Sequence, residues 1–373
     1  MKALIRTVWV LGLIALGGCG GSSGASKLST ANVALLYVVG QGQNTIQGFH
    51  IQGSGDLVGT SVSTTATNPR PVAMALHPST NFLYVANFAS NTVSGYTVDH
   101  TAGILTPVGE ALAPTPTGPS PIAVACDQSG RFLFVLNQGD ETISVYSIDG
   151  VRGLLTQVGA PFATGQTNLQ AMNLSPTSPL VYVLSGPAPS KISVFSFDTN
   201  GTLASAAGSF QSLGTTNIGG MTIDPKGQFL YAADSANNGI LSLSIAQSGA
   251  LSLVAGSPFP AGTKPVAVAV DGTGSFVYAS NAGSNDVSGY TSKAGVLTQV
   301  PGSPFTTEGA GTVNATQPGF LTVDATNTFL YVSNVATKAI AAFGINAADG
   351  ALVEVTNSPF PEVVAPSWII TTK

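Results

Sequence analysis

The residues that could catalyse hydrolysis are scattered through this sequence. Opening an ester or lactone needs a positioned base to activate water and a donor or cation to stabilise the oxyanion. The histidines are badly placed for this, because His77 and His100 lie in turns and His50 falls near the far end of a strand. Acidic loop residues could serve instead, namely Glu110, Asp140, Glu141, Asp234, Asp286 and Glu308. No spacing pairs these carboxylates, so solvated loop charge is the simpler interpretation and the catalytic residues stay unassigned.

Metal and cofactor motifs do not stand out either. The sequence has no His-x-x-x-His, no cysteine pair and no acidic loop with calcium-hand spacing, so we expect no metal site. Its glycine-rich stretches follow no strand-to-helix pattern, so we expect no phosphate-binding loop and no cofactor. Cys19 and Cys126 are its two cysteines, which excludes a disulfide framework, and Cys126 is predicted to be a buried thiol in a strand.

Composition narrows the class of protein. Only 8% of the 373 residues are charged, and 12 basic against 17 acidic residues give a net charge of -5. No basic run supplies the phosphate-neutralising patch that nucleic-acid binding needs, so a nucleic-acid partner is disfavoured. The 44% hydrophobic content is ample for a core, while 44 glycines and 23 prolines interrupt every apolar run. These features favour one large domain built from repeats.

The amino terminus has the features of an export signal. Lys2 and Arg6 precede a short apolar stretch, residues 8–16, which predicts a cleaved signal peptide over residues 1–18. The following Cys19 completes a sequence that resembles the bacterial lipobox, so we expect it to be lipidated and to anchor the chain to a membrane in the periplasm or at the cell surface. A plain secretory signal with an incidental cysteine is the alternative. Residues 19–31 are predicted to be a flexible tether.

A repeat of about 49 residues occupies residues 32–373. The motif FLYVAN of residues 82–87 recurs along the chain, and its aromatic residue marks each unit: Tyr37, Tyr84, Phe134, Tyr182, Tyr231, Tyr278 and Tyr331. Each unit shows the two-residue apolar period of strands, separated by turn residues. In the second unit, we predict strands near residues 72–76, 82–86, 92–98 and 104–108. Four short antiparallel strands per unit indicate an all-β, seven-bladed β-propeller.

The two ends of the repeat region complement each other. The first unit lacks a first strand, whereas residues 366–371 match a first strand with nothing after it. The C-terminal strand is therefore predicted to complete the blade that the N-terminal strands begin, beside Tyr37. This pairing would close the ring without a free sheet edge.

Polar residues recur at one end of the predicted channel. The residue before each first strand is polar in six of seven units: Arg70, Ser120, Asn168, Asn217, Lys264, Gln317 and Ala365. Second strands return to the same face and end at Asn87, Asn137, Asp234, Asn281 and Asn334. We expect both sets to rim the channel as a polar ligand site, with Arg70 and Lys264 binding an anion and Gln317 donating or accepting hydrogen bonds. The alternative is that the asparagines cap loop backbone groups.

The repeat resembles those of a known family. The motifs FLYVAN, NTVSGYTVD and the GSPF that ends several units are similar to those of bacterial seven-bladed propellers with YVTN repeats, a lactonase-like group that includes 6-phosphogluconolactonases. The resemblance covers almost the whole chain after the signal peptide and implies a seven-bladed propeller. It also implies an Arg-His pair at one first strand and an Asn-Glu pair at one second strand. Here Val72-Ala73 stand at the first pair's position in the second unit, and Phe88 follows Asn87.

Those departures favour a binding or scaffold module over an enzyme. We therefore expect a lipid-anchored, extracytoplasmic and monomeric propeller that holds a small molecule, glycan or protein at its channel face. The alternative is a hydrolase of the lactonase-like family acting on a sugar lactone in the cell envelope. A structural component of a surface coat is a third possibility, and it predicts self-assembly without a ligand.

Overall fold

The computed structural model describes residues 34–40, 42–109, 114–186, 189–206, 210–211, 217–307, 320–361 and 366–372. The predicted signal peptide, the tether and Cys19 lie outside the described residues. Throughout the described part of the chain, the regular elements are β-strands, arranged as seven antiparallel sheets in a ring. No helix among the described residues is long and apolar enough to cross a membrane. The prediction of an all-β, seven-bladed propeller is confirmed.

Each sheet is one blade, and the blades are numbered here along the chain. Blade 1 begins with β1 (Leu35–Gly40), β2 (Thr45–Ile51) and β3 (Leu57–Ala66). Blade 2 contains β4 (Pro71–Leu76), β5 (Phe82–Asn87), β6 (Thr92–Val98), β7 (Leu105–Pro107) and β8 (Thr115–Pro116). Blade 3 contains β9 (Pro121–Cys126), β10 (Phe132–Asn137), β11 (Thr142–Ile148), β12 (Leu155–Gln157) and β13 (Phe162–Ala163). Blade 4 contains β14 (Leu169–Leu174), β15 (Leu180–Ser185), β16 (Lys191–Phe197), β17 (Leu203–Ser205) and β18 (Phe210–Gln211).

The remaining blades repeat this order of strands. Blade 5 contains β19 (Ile218–Ile223), β20 (Phe229–Asp234), β21 (Gly239–Ile245), β22 (Leu251–Leu253) and β23 (Phe259–Pro260). Blade 6 contains β24 (Pro265–Val270), β25 (Phe276–Asn281), β26 (Asp286–Lys293), β27 (Val296–Gln299) and β28 (Phe305–Thr306). Blade 7 contains β29 (Leu321–Val323), β30 (Phe329–Asn334), β31 (Ala339–Ile345), β32 (Leu352–Glu354) and β33 (Phe360–Pro361). The last strand of the chain, β34 (Pro366–Thr371), belongs to blade 1.

The C-terminal strand closes the ring as predicted. In the antiparallel pairing of β34 with β1, Tyr37 lies opposite Ile370. Backbone and side-chain bonds extend this pairing, because the Leu35 amide donates to Thr372 Oγ1 (3.0 Å) and the Thr372 amide donates to the Leu35 carbonyl (2.8 Å). The two ends of the propeller domain thus share one sheet.

Blades 2 to 7 carry a short extra strand that the predicted four-strand unit did not include. After the fourth strand the chain turns and returns two residues to the third strand, as β23 does to β21. In blade 5 the turn is set by a hydrogen bond from the Ser257 amide to the Val254 carbonyl (3.0 Å), directly before Pro258. Proline cannot donate to a sheet, so it interrupts the fourth strand at this point. In blade 1 a single 10-residue strand, β3, makes both contacts, and its pairing with β2 slips between Gly59 and Thr64.

Buried side chains between neighbouring sheets form the core. The marker tyrosines lie there, and their hydroxyls reach into the next blade: Tyr84 donates to the Gly153 carbonyl at 2.9 Å and Tyr278 to the Gly350 carbonyl at 2.9 Å. Both glycines have a positive φ, in the turns between third and fourth strands. These bonds satisfy hydroxyls that would otherwise be buried without a partner, and they hold adjacent blades in a fixed orientation around the channel.

Candidate functional site

Five of the residues that precede the first strands are described, and each lies directly before the innermost strand of its blade. Their contact with a ligand stays a prediction. Arg70, Asn168 and Lys264 are exposed, and each adopts a left-handed backbone with φ between 52° and 55°. Ser120 shares this conformation, and Asn217 is also exposed at the start of its strand. Gln317 lies outside the described residues, so its predicted ligand contact cannot be placed.

A recurring hydrogen bond fixes this backbone conformation. Asn44 Oδ1, in the turn of blade 1, accepts a bond from the Arg70 amide (2.8 Å), and Asn238 Oδ1 accepts one from the Lys264 amide (2.9 Å). Four of the five described rim positions, Arg70, Ser120, Asn168 and Lys264, thus share the left-handed conformation with different side chains, whereas Asn217 does not. Asparagine tolerates this region, whereas other side chains cost about 1 kcal/mol or more. Arginine and lysine therefore carry a conformational cost here that a role in ligand binding would offset.

The side chains at the ends of the second strands lie inside the blades, not on the channel wall as expected. Asn87 is fully buried; its Oδ1 accepts a bond from Thr67 Oγ1 (3.0 Å) and its Nδ2 donates to Ser94 Oγ (2.9 Å). The other four end residues, which are also buried, are Asn137, Asp234, Asn281 and Asn334. Except for Asn334, they form hydrogen bonds with groups of nearby loops and strands, as the capping alternative predicted. A role in ligand contact stays a prediction for all five.

Hydrogen bonds to nearby loop groups occupy most of these side chains. Asn137 accepts from Thr117 Oγ1 (3.1 Å) and donates to Ser144 Oγ (2.9 Å), which repeats the arrangement in blade 2. Asp234 accepts bonds from two amides of its own turn, and Asn281 donates to Asp286 Oδ1 (2.6 Å). Neither amide atom of Asn334 has a hydrogen-bond partner among the described residues, because Ala339 and Ala341 stand where blades 2 and 3 have a threonine and a serine.

A β-bulge near the start of the first strands leaves one residue of the strand unpaired. In blade 2 the pairing register slips between Pro71 and Ala73, which leaves Val72 without a partner, and in blade 4 the same slip leaves Gln170. Bulges are frequent beside active sites because they redirect a side chain out of the sheet. The corresponding residues in blades 3 and 6 are Ile122 and Val266. Gln170 is thus a polar residue at a position that is apolar in blades 2, 3 and 6.

A second glutamine, Gln138, lies beside the strand that carries Gln170. Gln138 directly follows the buried Asn137, and its Nε2 crosses from blade 3 to donate to the Leu169 carbonyl (2.8 Å). Gln170 Nε2 donates to the Gly186 carbonyl within blade 4. Sequence reasoning missed both glutamines as site residues. The exchange of an apolar bulge residue for Gln170 in one repeat was the signal that could have identified them.

One carboxylate on this face differs from the others. Asp140 accepts a bond from Thr142 Oγ1 (2.8 Å), and Asp234 and Asp286 are buried and bonded within their own blades. Glu141 is half-buried, and no hydrogen bond to its carboxylate is found among the described residues. With φ of 60°, it stands where Asn44 and its counterparts stand in other blades. Glu110 and Glu308 lie outside the described residues.

Histidine and cysteine chemistry is remote from this rim. His77 is buried and held between Ser79 Oγ (2.7 Å) and the Gly130 carbonyl (2.8 Å), and His100 lies near Thr80 on the opposite face. Burial strongly raises the pKa of the Cys126 thiol, so this residue is protonated at neutral pH and a poor nucleophile. In the described part of the chain, no three His, Cys, Asp or Glu side chains are grouped so that they could hold a metal ion.

Solved structures of similar fold come from several bacteria. A protein of Bacteroides uniformis, provisionally named a 6-phosphogluconolactonase, superposes with a TM-score of 0.77 at 18% identity, covering 92% of this chain and 100% of that one. The periplasmic gluconolactonase of Pseudomonas aeruginosa superposes with a TM-score of 0.73 at 17% identity, covering 91% and 99%. At this identity the likeness concerns the fold alone. Among curated proteins no match was found.

A family model gives the assignment. The model described as Lactonase, 7-bladed beta-propeller matches residues 14–118 and 172–312, which together make up more than half of the chain. These segments contain Arg70 and Lys264 of the rim. The matched segments, the seven sheets and the shared first blade agree with one another, and this chain belongs to the lactonase family of seven-bladed β-propellers.

Proposed function

We propose that this protein hydrolyses a sugar lactone at the rim end of its central channel. The observation that carries the proposal is the family match over more than half of the chain, combined with polar side chains that converge on one end of the channel. Lactone opening needs a base, a water molecule and groups that stabilise negative charge. The rim supplies candidates for each of these roles.

Glu141 is the residue we propose as the general base. It is the described carboxylate of this face that is neither buried nor hydrogen-bonded within its own turn. Its position in the turn of blade 3 is one where three other blades use asparagine to hold the neighbouring blade: Asn44, Asn91 and Asn238. A glutamate there gives up that bond and adopts a costly backbone conformation. Strain of this kind is often retained at functional sites.

The proposed hydrolysis consumes one water molecule and uses no metal or cofactor. Glu141 takes a proton from water while the water oxygen attacks the lactone carbonyl carbon, and the carbonyl oxygen becomes an oxyanion. Arg70 and Lys264 at the rim provide positive charge that favours the oxyanion and the carboxylate product. The ring carbon–oxygen bond then breaks, and the proton passes from Glu141 to the leaving alkoxide. The product is an open hydroxy acid.

Measuring acid release from a panel of sugar lactones in a pH-stat tests this proposal. We expect the full chain to open at least one lactone faster than the spontaneous rate, and Glu141→Gln to lower kcat at least a hundredfold. Asp140→Asn is the matched control and should keep most of the activity, because its carboxylate is already bonded to Thr142. Absence of turnover across the panel, or full activity in Glu141→Gln, would contradict the proposal.

A non-catalytic binding module is the second candidate. It is favoured by Val72 and Ala73, which stand where the family resemblance implies an Arg-His pair. The same lactone panel distinguishes the hydrolase from the binding module, because a binding module would bind lactones without hydrolysing them.

We also propose that the protein works outside the cytoplasm, attached through lipid on Cys19. The short apolar segment before Cys19 supports this location. Labelling cells with a radioactive fatty acid tests it: the wild-type chain should carry label and Cys19→Ser should not. Equal labelling of the two would exclude lipid at Cys19.

A further inference from the structure

Two aromatic residues replace small ones at a single position of the first strands. The third residue after the rim position is small in blades 2 to 6: Ala73, Ala123, Ala171, Gly220 and Ala267. In blades 7 and 1 it is Phe320 and Trp368. Their rings contact each other, with centroids 3.8 Å apart and an interplanar angle of 38°. We call these two residues the aromatic pair.

The aromatic pair contributes to the channel wall. Both side chains are half-buried although they belong to the innermost strand of a blade or directly precede it. That edge of a blade has the second strand behind it and the neighbouring blades on its two faces. The exposed part of each ring therefore opens toward the channel. Small-molecule sites combine aromatic surface with a few placed polar groups, and the aromatic pair adds such a surface to this rim.

Blade 4 lies directly across the channel from the pair. The pair occupies the boundary between blades 7 and 1, and three blades separate this boundary from blade 4 on each side, since each first strand contacts those of the blades before and after it. Blade 4 carries Gln170 at its bulge, and Gln138 of blade 3 donates a hydrogen bond to the Leu169 carbonyl of blade 4. The aromatic and amide surfaces thus face each other near the same depth.

The two glutamines present oxygen atoms to this space. Each side chain uses its Nε2 group to donate to a backbone carbonyl, of Leu169 for Gln138 and of Gly186 for Gln170. A carbonyl can only accept, so these bonds fix the orientation of each amide. Both Oε1 atoms remain as acceptors, and within the described residues no donor reaches them. This wall therefore suits a ligand that carries hydroxyl donors.

We propose that the channel holds a polyhydroxylated six-membered ring between these surfaces, its C–H face against Phe320 and Trp368 and its hydroxyls donating to Gln138 and Gln170. The inference depends on the proposed function only for the identity of the ring as a lactone; the binding site itself needs no catalysis. It distinguishes closed rings from open chains, because only a ring offers a flat apolar face to the aromatic pair.

Tryptophan fluorescence tests the site directly. The chain has two tryptophans, Trp9 and Trp368, so Trp9→Phe in the full chain leaves one reporter in the channel. The probe is glucono-1,5-lactam, which keeps the ring and hydroxyls of the lactone but resists hydrolysis. We expect a saturable change in emission with the lactam, and at least tenfold weaker binding of gluconate, its open-chain counterpart. No response to the lactam, or equal binding of both compounds, would overturn the inference.

Calorimetry on variants locates the two surfaces. Phe320→Leu and Gln170→Leu should each weaken lactam binding at least tenfold with little change in Tm. Gln157→Leu is the control, since this exposed glutamine lies on the outer strand β12 of blade 3. Unchanged binding in both channel variants would overturn the site. Lactam binding without lactone turnover would contradict the hydrolase proposal but not the ring-binding site. Lactone turnover without lactam binding would contradict the ring-binding site but not the hydrolase proposal.

Discussion

The hydroxyl of Tyr331 donates a hydrogen bond to the carbonyl oxygen of Gly55 at 3.0 Å, which joins blade 7 to blade 1 across 276 positions of the chain. The bond repeats the one between Tyr37 and Gly103 in the next pair of blades (3.1 Å). At blade 1 the ring is therefore closed both by the pairing of β34 with β1 and by the tyrosine contact that links neighbouring blades elsewhere.

Removing the Tyr331 hydroxyl should lower stability. Tyr331→Phe leaves the buried ring in place but deprives the Gly55 carbonyl of its donor, so we expect the free energy of unfolding in urea to fall by about 1–2 kcal/mol. Thr97→Val is a control, because it removes a hydroxyl from an exposed residue on a third strand. A Tyr331→Phe variant as stable as the wild type would show that the contact adds nothing to ring closure.

Alkaline pH should destabilise the fold through its buried tyrosines. Burial raises the pKa of Tyr182, Tyr231 and Tyr290 to about 12, from an ordinary value near 10. Between these values the folded protein retains protons that the unfolded chain releases, so stability is fully present below pH 10 and is lost as the pH rises toward 12. Thermal unfolding from pH 8 to 12 should show a Tm that is flat and then falls above 10. A Tm independent of pH across this range would contradict the role of burial.

Asn87 should be more important for stability than for ligand binding. Its buried amide joins Thr67 and Ser94, so Asn87→Ala leaves both partners unsatisfied and should cost about 2–3 kcal/mol in urea unfolding. We expect lactam affinity to change less than threefold. A large loss of affinity with unchanged stability would instead support the ligand contact predicted from the sequence.

Glu141→Asn should raise the stability of the protein and abolish its lactone turnover. Asparagine tolerates the left-handed backbone at this position and could accept a bond from the Asn168 amide, as Asn238 does from Lys264 in blade 6. We expect a gain of about 1 kcal/mol in the free energy of unfolding, with lactone turnover reduced to the spontaneous rate. If turnover survives in the more stable variant, Glu141 is a turn residue without a chemical role.

The fold could be predicted from the sequence because the same pattern of short strands recurs in seven units. The predicted third strand over residues 92–98 coincides with β6, and the C-terminal strand docks beside Tyr37. The candidate site was harder to predict, because the two-residue apolar period of a strand does not show where a β-bulge lies. Gln170 stands at a bulge and Trp368 on the strand that completes blade 1, and only the closed ring places the two opposite each other.

Burial separated the two predicted sets of polar residues. Arg70 and Asn87 both follow from the repeat as residues at the same end of the blade, but one lies on the rim and the other inside the sheet. The difference arises because the end of a second strand is covered by the loop that leads into the blade, whose Thr67 bonds to Asn87. Sequence spacing alone does not reveal that cover.

A crystal structure of Glu141→Gln soaked with a sugar lactone that the wild type opens tests the central claim most directly. The predicted result is an intact ring in the channel, one face against Trp368, with hydroxyls bonded to Gln138 and Gln170 and a water molecule between its carbonyl carbon and residue 141. A lactone bound elsewhere on the molecule, or a ring opened in the crystal despite the substitution, would contradict the proposed site.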